Sequence, residues 1–365
     1  VSIEHIVGSA FADTFEGSIS DETFEGGAGN DMFLASGGAD VYDGGLGFDI
    51  ADYSASTSSG MNIYMDGSFG TGGDAAGDRL YNVEEVIGSA QDDKITANDS
   101  GSTILSGAGN DTLIGGTGND TLDGGVGDDT FLTGLGADQV TGGTGFDIVD
   151  YRNSGAAVAI SNDGTTGTGG WAQGDALTGI EQIEGSALYN DTLRGSHDAL
   201  VTTILHGWGG NDIFYSFNAA DTMDGGSGTD TADYSGSTAA VTVRLDGTAS
   251  SGGDAEGDVL SNIEVVIGSA YADNLIGTGA NETLQGGAGD DTLVGGPGSD
   301  QLDGGAGFDT VDYSGSGGVI VSMDGSAGTA GDANGDVLIS IEKLIGSGLA
   351  DIIYGSANGD TILAG

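Results

Sequence analysis

Asp111, Asp120 and Asp129 recur nine residues apart, each behind a glycine-rich stretch and each followed two residues later by a large apolar side chain, Leu113, Leu122 or Phe131. A carboxylate on such a turn is a hard oxygen donor, and the glycines leave main-chain carbonyl oxygens uncovered as further donors. Six or more oxygens of mixed carboxylate and carbonyl type suit calcium; magnesium demands tighter octahedral geometry and keeps its waters. The same register extends to seven consecutive units over residues 88–150. Five units occupy 8–52, with Phe15, Phe24, Phe33, Tyr42 and Ala51 at the apolar position, and five occupy 268–312, with Leu275, Leu284, Leu293, Leu302 and Val311 there. A less regular group lies over 185–233, and a last one starts at Gly346.

Pairing aspartates two units apart, eighteen residues, gives the candidate metal sites: Asp13 with Asp31, Asp31 with Asp49, Asp93 with Asp111, Asp111 with Asp129, Asp120 with Asp138, Asp129 with Asp147, Asp212 with Asp230, Asp273 with Asp291, and Asp291 with Asp309. Weaker pairs set Glu22 against Asp40 and Glu282 against Asp300, where a longer side chain must fit. Asp78, Asp258 and Asp336 keep the glycine, aspartate, apolar spacing inside connecting segments and are candidate ligands as well. Gly26, Gly44, Gly115, Gly124, Gly286, Gly295 and Gly304 are the candidate carbonyl donors. With nine such pairs and two weaker ones, roughly a dozen calcium ions are expected, each taking about six oxygens or more.

The elements that must position these groups are short. The glycine-rich half of each unit needs backbone conformations that glycine adopts cheaply. The other half, rich in Thr, Leu, Ile, Val and Phe, reads as a strand whose middle residue points inward. Three residues cannot stand alone as a strand. If two units make one coil, each strand pairs with the strand one coil away at about 4.8 Å, and the inward residues form a narrow continuous core. The expected fold is all-β: a parallel β-roll, or β-solenoid, of tandem nonapeptide repeats in about five modules.

A longer period overlies the short one. The phrase "GFDxxDY" closes a run at Tyr53, Tyr151 and Tyr313, and "GTDTADY" does so at Tyr234. The glutamates Glu4, Glu84, Glu181, Glu264 and Glu342 open the next runs, at spacings of 80, 97, 83 and 78. The chain therefore divides into repeat blocks at 1–52, 88–150, 185–233 (irregular), 268–312 and 346–365 (truncated), with connectors at 53–87, 151–184, 234–267 and 313–345. From Asp78 to Asp93, Asp258 to Asp273 and Asp336 to Asp351 is 15 residues, which suggests a coil shortened by three and a solenoid that runs on through each connector; a surface hairpin between separate rolls is the alternative.

Composition narrows the choice. Among 365 residues there are 75 glycines but one proline, which excludes collagen, and 37% hydrophobic residues argue against a disordered polymer. Acidic residues number 57 against 6 basic ones, a net charge of −51. Nucleic acid and anionic membrane surfaces are excluded as partners by this charge, and built-in cations are invited. A dozen calcium ions would add about +24, leaving roughly −27. Cysteine is absent, and no apolar run reaches the ~18 residues needed for membrane insertion. The chain begins at Val1 and stops in mid-repeat, and reads as a piece of something longer.

"GGAGNDMF", "GGTGNDTL" and "GGAGDDTL" resemble the G-G-x-G-x-D-x-U-x signature of the RTX, or hemolysin-type calcium-binding, repeat. The resemblance covers most of the chain. It implies a parallel β-roll, export by bacterial type I secretion, and folding outside the cell where calcium is plentiful. The third module departs from the pattern, with "GSALYNDTLRGSHDALVTTILHG" carrying an extra residue before Arg194, and its calcium sites are open to question.

No catalytic constellation is present in the sequence. His5, His197 and His206 are the only histidines; no H-E-x-x-H, G-x-S-x-G or phosphate-binding loop occurs. The expectation is that this chain is not an enzyme. His197 and His206 read as surface turn residues, and Trp171 and Trp208 as covers of the solenoid edge rather than contacts for a sugar or partner. Two functions stay open. One is a calcium-binding extracellular structural protein of surface-layer, adhesin or matrix type on the bacterial cell surface, partnered by itself or by other surface components. The other is a calcium-triggered secretion and folding module of a larger type I-secreted enzyme or toxin.

Overall fold

In the computed structural model, which describes residues 3–198 and 200–365, the regular elements are short strands in parallel sheets and a few 3-10 turns. It divides into two compact units, 1–186 and 187–365. No helix among the described residues is long and apolar enough to cross a membrane.

In the first unit, strands Thr23–Ala28 and Val41–Leu46 pair at an offset of eighteen residues, Phe24 opposite Tyr42, and Thr121–Val126 pairs with Thr103–Leu105 in the same way, Leu122 opposite Ile104. Three-residue strands such as Met32–Leu34 and Thr103–Leu105 bury their middle side chain and leave its neighbours partly open, as alternation demands. The core is consequently a file of single side chains, with Val86, Ile104 and Leu122 fully buried in one sheet. At the start of the unit the file is aromatic: Phe15 stacks on Phe33 at 5.1 Å and Phe24 on Tyr42 at 5.5 Å. Between strands the turn must double back sharply. Gly125, at φ 87°, shows why glycine stands there: a Cβ would run into the carbonyl of Gly107 one coil away.

The connectors do continue the roll, but not through a shortened coil. After Asp52 the chain lays down Asn62–Tyr64, makes a 3-10 turn at Gly73–Ala75, and then adds Arg79–Tyr81. Arg79–Tyr81 is the last strand of the sheet that holds Val41–Leu46, whereas Asn62–Tyr64 is the first strand of a new sheet and pairs with Lys94–Thr96. Glu85–Ile87 meanwhile continues the sheet of Ile50–Asp52. One sheet ends, one begins, and one runs on. The 15-residue spacing from Asp78 to Asp93 arises because these two residues precede strands of different sheets.

The second unit repeats the device. Val259–Ser261 closes the sheet of Thr222–Asp224, Thr242–Arg244 opens a sheet with Asn274–Ile276, and Val265–Ile267 continues that of Thr231–Asp233. In the irregular module Thr192 lies opposite Ile213, an offset of 21 rather than 18, so the insertion is absorbed between Arg194 and Ile204 while the strands still pair. In each connector the tyrosine of the "DY" phrase turns inward: Tyr53, Tyr151, Tyr234 and Tyr313 are all buried.

Candidate metal centre

The turns stack so that each aspartate meets the next through its main chain. The Asp93 amide donates to Oδ1 of Asp111 at 2.7 Å, Asp111 to Asp129 at 2.8 Å, and Asp129 to Asp147 at 2.9 Å. The same bond joins Asp13 to Asp31, Asp31 to Asp49, Asp120 to Asp138, Asp212 to Asp230, Asp273 to Asp291 and Asp291 to Asp309, at 2.7 to 2.8 Å. Glu22 with Asp40 and Glu282 with Asp300 follow suit at 2.7 and 2.9 Å. Every pair drawn from the eighteen-residue spacing is thus adjacent.

One carboxyl oxygen holds the ladder; the other decides the chemistry. In Asp31, Asp49, Asp111, Asp120, Asp129, Asp138, Asp147, Asp212, Asp230, Asp291, Asp300 and Asp309 the second oxygen, Oδ2, is buried without a hydrogen-bond partner, as is Oε2 of Glu282. An unpaired buried carboxylate costs several kcal/mol, so a file of them calls for cations. The gap these oxygens face is kept open by glycine. A Cβ on Gly26, Gly44, Gly115, Gly124, Gly286, Gly295 or Gly304 would strike the side chain of the aspartate five residues on. On Gly26, Gly124 and Gly286 it would also lie 2.6 to 2.7 Å from the carbonyl oxygen of the glycine one coil further, Gly44, Gly142 or Gly304. No three His, Cys, Asp or Glu side chains among the described residues converge closely enough to hold a metal by themselves. The donor set is therefore paired carboxylates plus main-chain carbonyls, which fits calcium.

Burial pushes these acids upward. Asp111, Asp138, Asp212 and Asp300 titrate at about 7, and Asp120, Asp147 and Asp291 at about 6, chiefly because burial penalises the charge. The amide bond from the coil below opposes this shift, and neighbouring carboxylates such as Asp129 beside Asp111 add to it. Asp40, Asp49, Asp129, Asp230, Asp273 and Asp309 are raised for the same first reason.

Several predicted residues stand apart. At the start of each run, Oδ2 of Asp13, Asp93 and Asp273 accepts the amides of Ser9, Ser89 and Ser269 at 2.6, 2.8 and 2.5 Å. Oδ2 of Asp40 accepts the Tyr42 hydroxyl at 3.0 Å. Asp78, Asp258 and Asp336 differ most. Oδ1 of each accepts the last amide of a ladder, from Asp40, Asp221 or Asp300, and Oδ2 accepts the hydroxyl of Tyr53, Tyr234 or Tyr313 at 2.8 to 3.0 Å. In this structure they cap their ladders through hydrogen bonds on both oxygens, and unlike Asp111 they present no bare buried oxygen.

Sequence reasoning missed the fourth such cap, Asp175 with Tyr151 at 2.9 Å, although its "GDAL" spacing was available to find it. It also missed a second ladder. The residue before the aspartate accepts an amide from the next coil: Asp92 from Asn110, Asn110 from Asp128, and Asp128 from Phe146, at 2.8 to 2.9 Å. The recurrence of Asn or Asp at that position was the signal. Of the side residues, His197 stacks on Phe217 at 3.9 Å, His206 lies in a strand beside Trp208, and Trp208 occupies a glycine position of the turn at φ 69°. Trp171 sits on the connector's 3-10 turn, Gly170–Ala172.

The family model of the RTX calcium-binding nonapeptide repeat matches residues 2–32, 16–51, 83–113, 105–140, 114–149, 203–232 and 276–311, together about half of the chain. No curated protein matches the chain.

Proposed function

Because the chain belongs to the family of RTX calcium-binding nonapeptide repeats and is a calcium-binding β-roll protein, we propose that it serves outside the cell as a structural element of surface-layer, adhesin or matrix type. Calcium would fold and stiffen it. The observation that carries this reading is the file of buried, partnerless carboxyl oxygens that recurs from Asp31 to Asp309 in both units. Such a file is costly at the low calcium of a cytosol and is neutralised at the higher calcium outside, so the environment decides whether the roll forms. The proposed role is non-catalytic: each ladder carboxylate spends one oxygen on the stacking of the coils and offers the other to a cation, and the sequence carries no catalytic motif.

Size-exclusion chromatography with light scattering, on chelator-stripped protein and then across a calcium titration, tests the proposal. Compaction accompanied by rising mass is the expected result for a lattice or matrix component. Compaction at constant mass would favour the alternative, a secretion and folding module of a larger exported enzyme or toxin. An elution volume indifferent to calcium would overturn both.

A further inference from the structure

Each run of repeats ends at an aspartate that has no further repeat above it, yet whose Oδ2 is buried and partnerless like the others: Asp49, Asp147, Asp230 and Asp309. Within a run, the gap beside the preceding glycine is faced by the carbonyl of the residue eighteen further on, as Gly26 is by Gly44 and Gly115 by Thr133. At the run's end no further repeat supplies that residue. A Cβ on Gly44, Gly142, Gly225 or Gly304 would instead meet the carbonyl oxygen of Asn82, Gly179, Asn262 or Ser340, all of them connector residues.

The connector reaches this position by a left-handed backbone. Asn82, Asn262 and Ser340 have φ of 50°, 51° and 52°, and Gly179 has 63°. These are four corresponding places, and non-glycine residues adopt this conformation at a cost. The Asn82 and Asn262 side chains help to hold it by donating to Asp43 and Asp224 at 2.7 Å. Two residues further on, Oε2 of Glu84, Glu181, Glu264 and Glu342 accepts the amide of Asp49, Asp147, Asp230 and Asp309 at 2.8 to 2.9 Å. The glutamate takes over the ladder bond that an aspartate makes inside the run. Its charge sits close enough to oppose ionisation of Asp147, Asp230 and Asp309.

We propose that each of the four connectors closes the run before it with a calcium site of its own, in which the carbonyl of Asn82, Gly179, Asn262 or Ser340 and the carboxylate of Glu84, Glu181, Glu264 or Glu342 join Asp49, Asp147, Asp230 or Asp309. The inference rests on the calcium reading of the carboxylate file and extends it to residues outside the nonapeptide turns. The connectors are then metal-bound joints, and one sheet can end and another begin where a cation holds the turn.

Bound calcium is measured by metal analysis after equilibrium dialysis of the full chain at saturating calcium, with the fold followed by circular dichroism. Glu84→Gln keeps an acceptor for the Asp49 amide and removes the charge; it should lose one ion, and the combination of E84Q, E181Q, E264Q and E342Q should lose four. If the fourfold variant does not fold in calcium, the single variants carry the test, each expected to lose one ion. A second variant isolates the carbonyl: Asn82→Val, whose branched side chain disfavours the left-handed conformation that aims it, should lose one ion. A folded E84Q and a folded N82V that both retain the parental number and affinity of ions would overturn the proposal. A parent chain that bound no calcium would instead overturn the reading on which it rests.

Discussion

The two oxygens of one aspartate do different work in this protein. Oδ1 of Asp129 accepts the Asp111 amide and survives substitution by asparagine; the buried charge on Oδ2 does not. Because Asp129 stands between Asp111 and Asp147, Asp129→Asn is expected to lose up to two calcium ions by isothermal calorimetry while the strands remain paired. Asp128→Asn, which keeps the acceptor in the outer ladder and leaves Oδ2 of Asp129 untouched, is expected to retain them. Protonation acts on the same oxygens. Aspartates that titrate at about 4 when unfolded do so at about 6 to 7 in Asp111, Asp120, Asp138, Asp147, Asp212, Asp291 and Asp300, so the metal-free fold binds protons that the unfolded chain has released. Its stability therefore falls as pH rises from about 4 to about 7 and is lowest above that window. In chelator the chain should be more compact at pH 5 than at pH 8 by size-exclusion chromatography, and half-saturating calcium should fall over the same interval. A metal-free chain that compacts as pH rises would contradict the assignment of these buried acids.

At the scale of the element, each connector solves the problem of ending a sheet inside a continuing roll. The closing strand carries Leu80, Leu177, Leu260 or Leu338 into the core, and the aspartate two residues before it would be one more buried charge without a partner. A buried tyrosine supplies the partner. Tyr151→Phe removes the hydroxyl from Oδ2 of Asp175 and leaves that oxygen unsatisfied, which should lower stability by about 1–3 kcal/mol in urea unfolding with calcium present. Bound calcium should not change, since Asp175 caps its ladder through hydrogen bonds. A loss of calcium in that variant would return Asp78, Asp258 and Asp336 to the ligand set.

For the whole molecule the governing quantity is charge. A net charge of −51 spread over a chain with 6 basic residues opposes compaction everywhere. The roll forces part of that charge inward, and calcium is the counter-charge that its oxygens accommodate. This is why the response to calcium, compaction with or without a rise in mass, is the test of function as well as of fold.

The repeat, its parallel stacking, its inward file of apolar side chains and the adjacency of aspartates eighteen residues apart are all legible in the sequence, because a nine-residue period with one apolar position admits few other ways to bury that position. Which carboxyl oxygens remain open was not legible. Asp78 and Asp111 stand in the same motif, yet Asp78 is sealed by a tyrosine 25 residues away and Asp111 is left bare. The exchange of sheets at the connectors, and the left-handed turn that brings Asn82 over Gly44, were likewise decided by tertiary packing. The physical reason is the same in each case. Local spacing sets where a carboxylate sits along the roll, whereas hydrogen-bond satisfaction depends on which distant group the packing delivers to it.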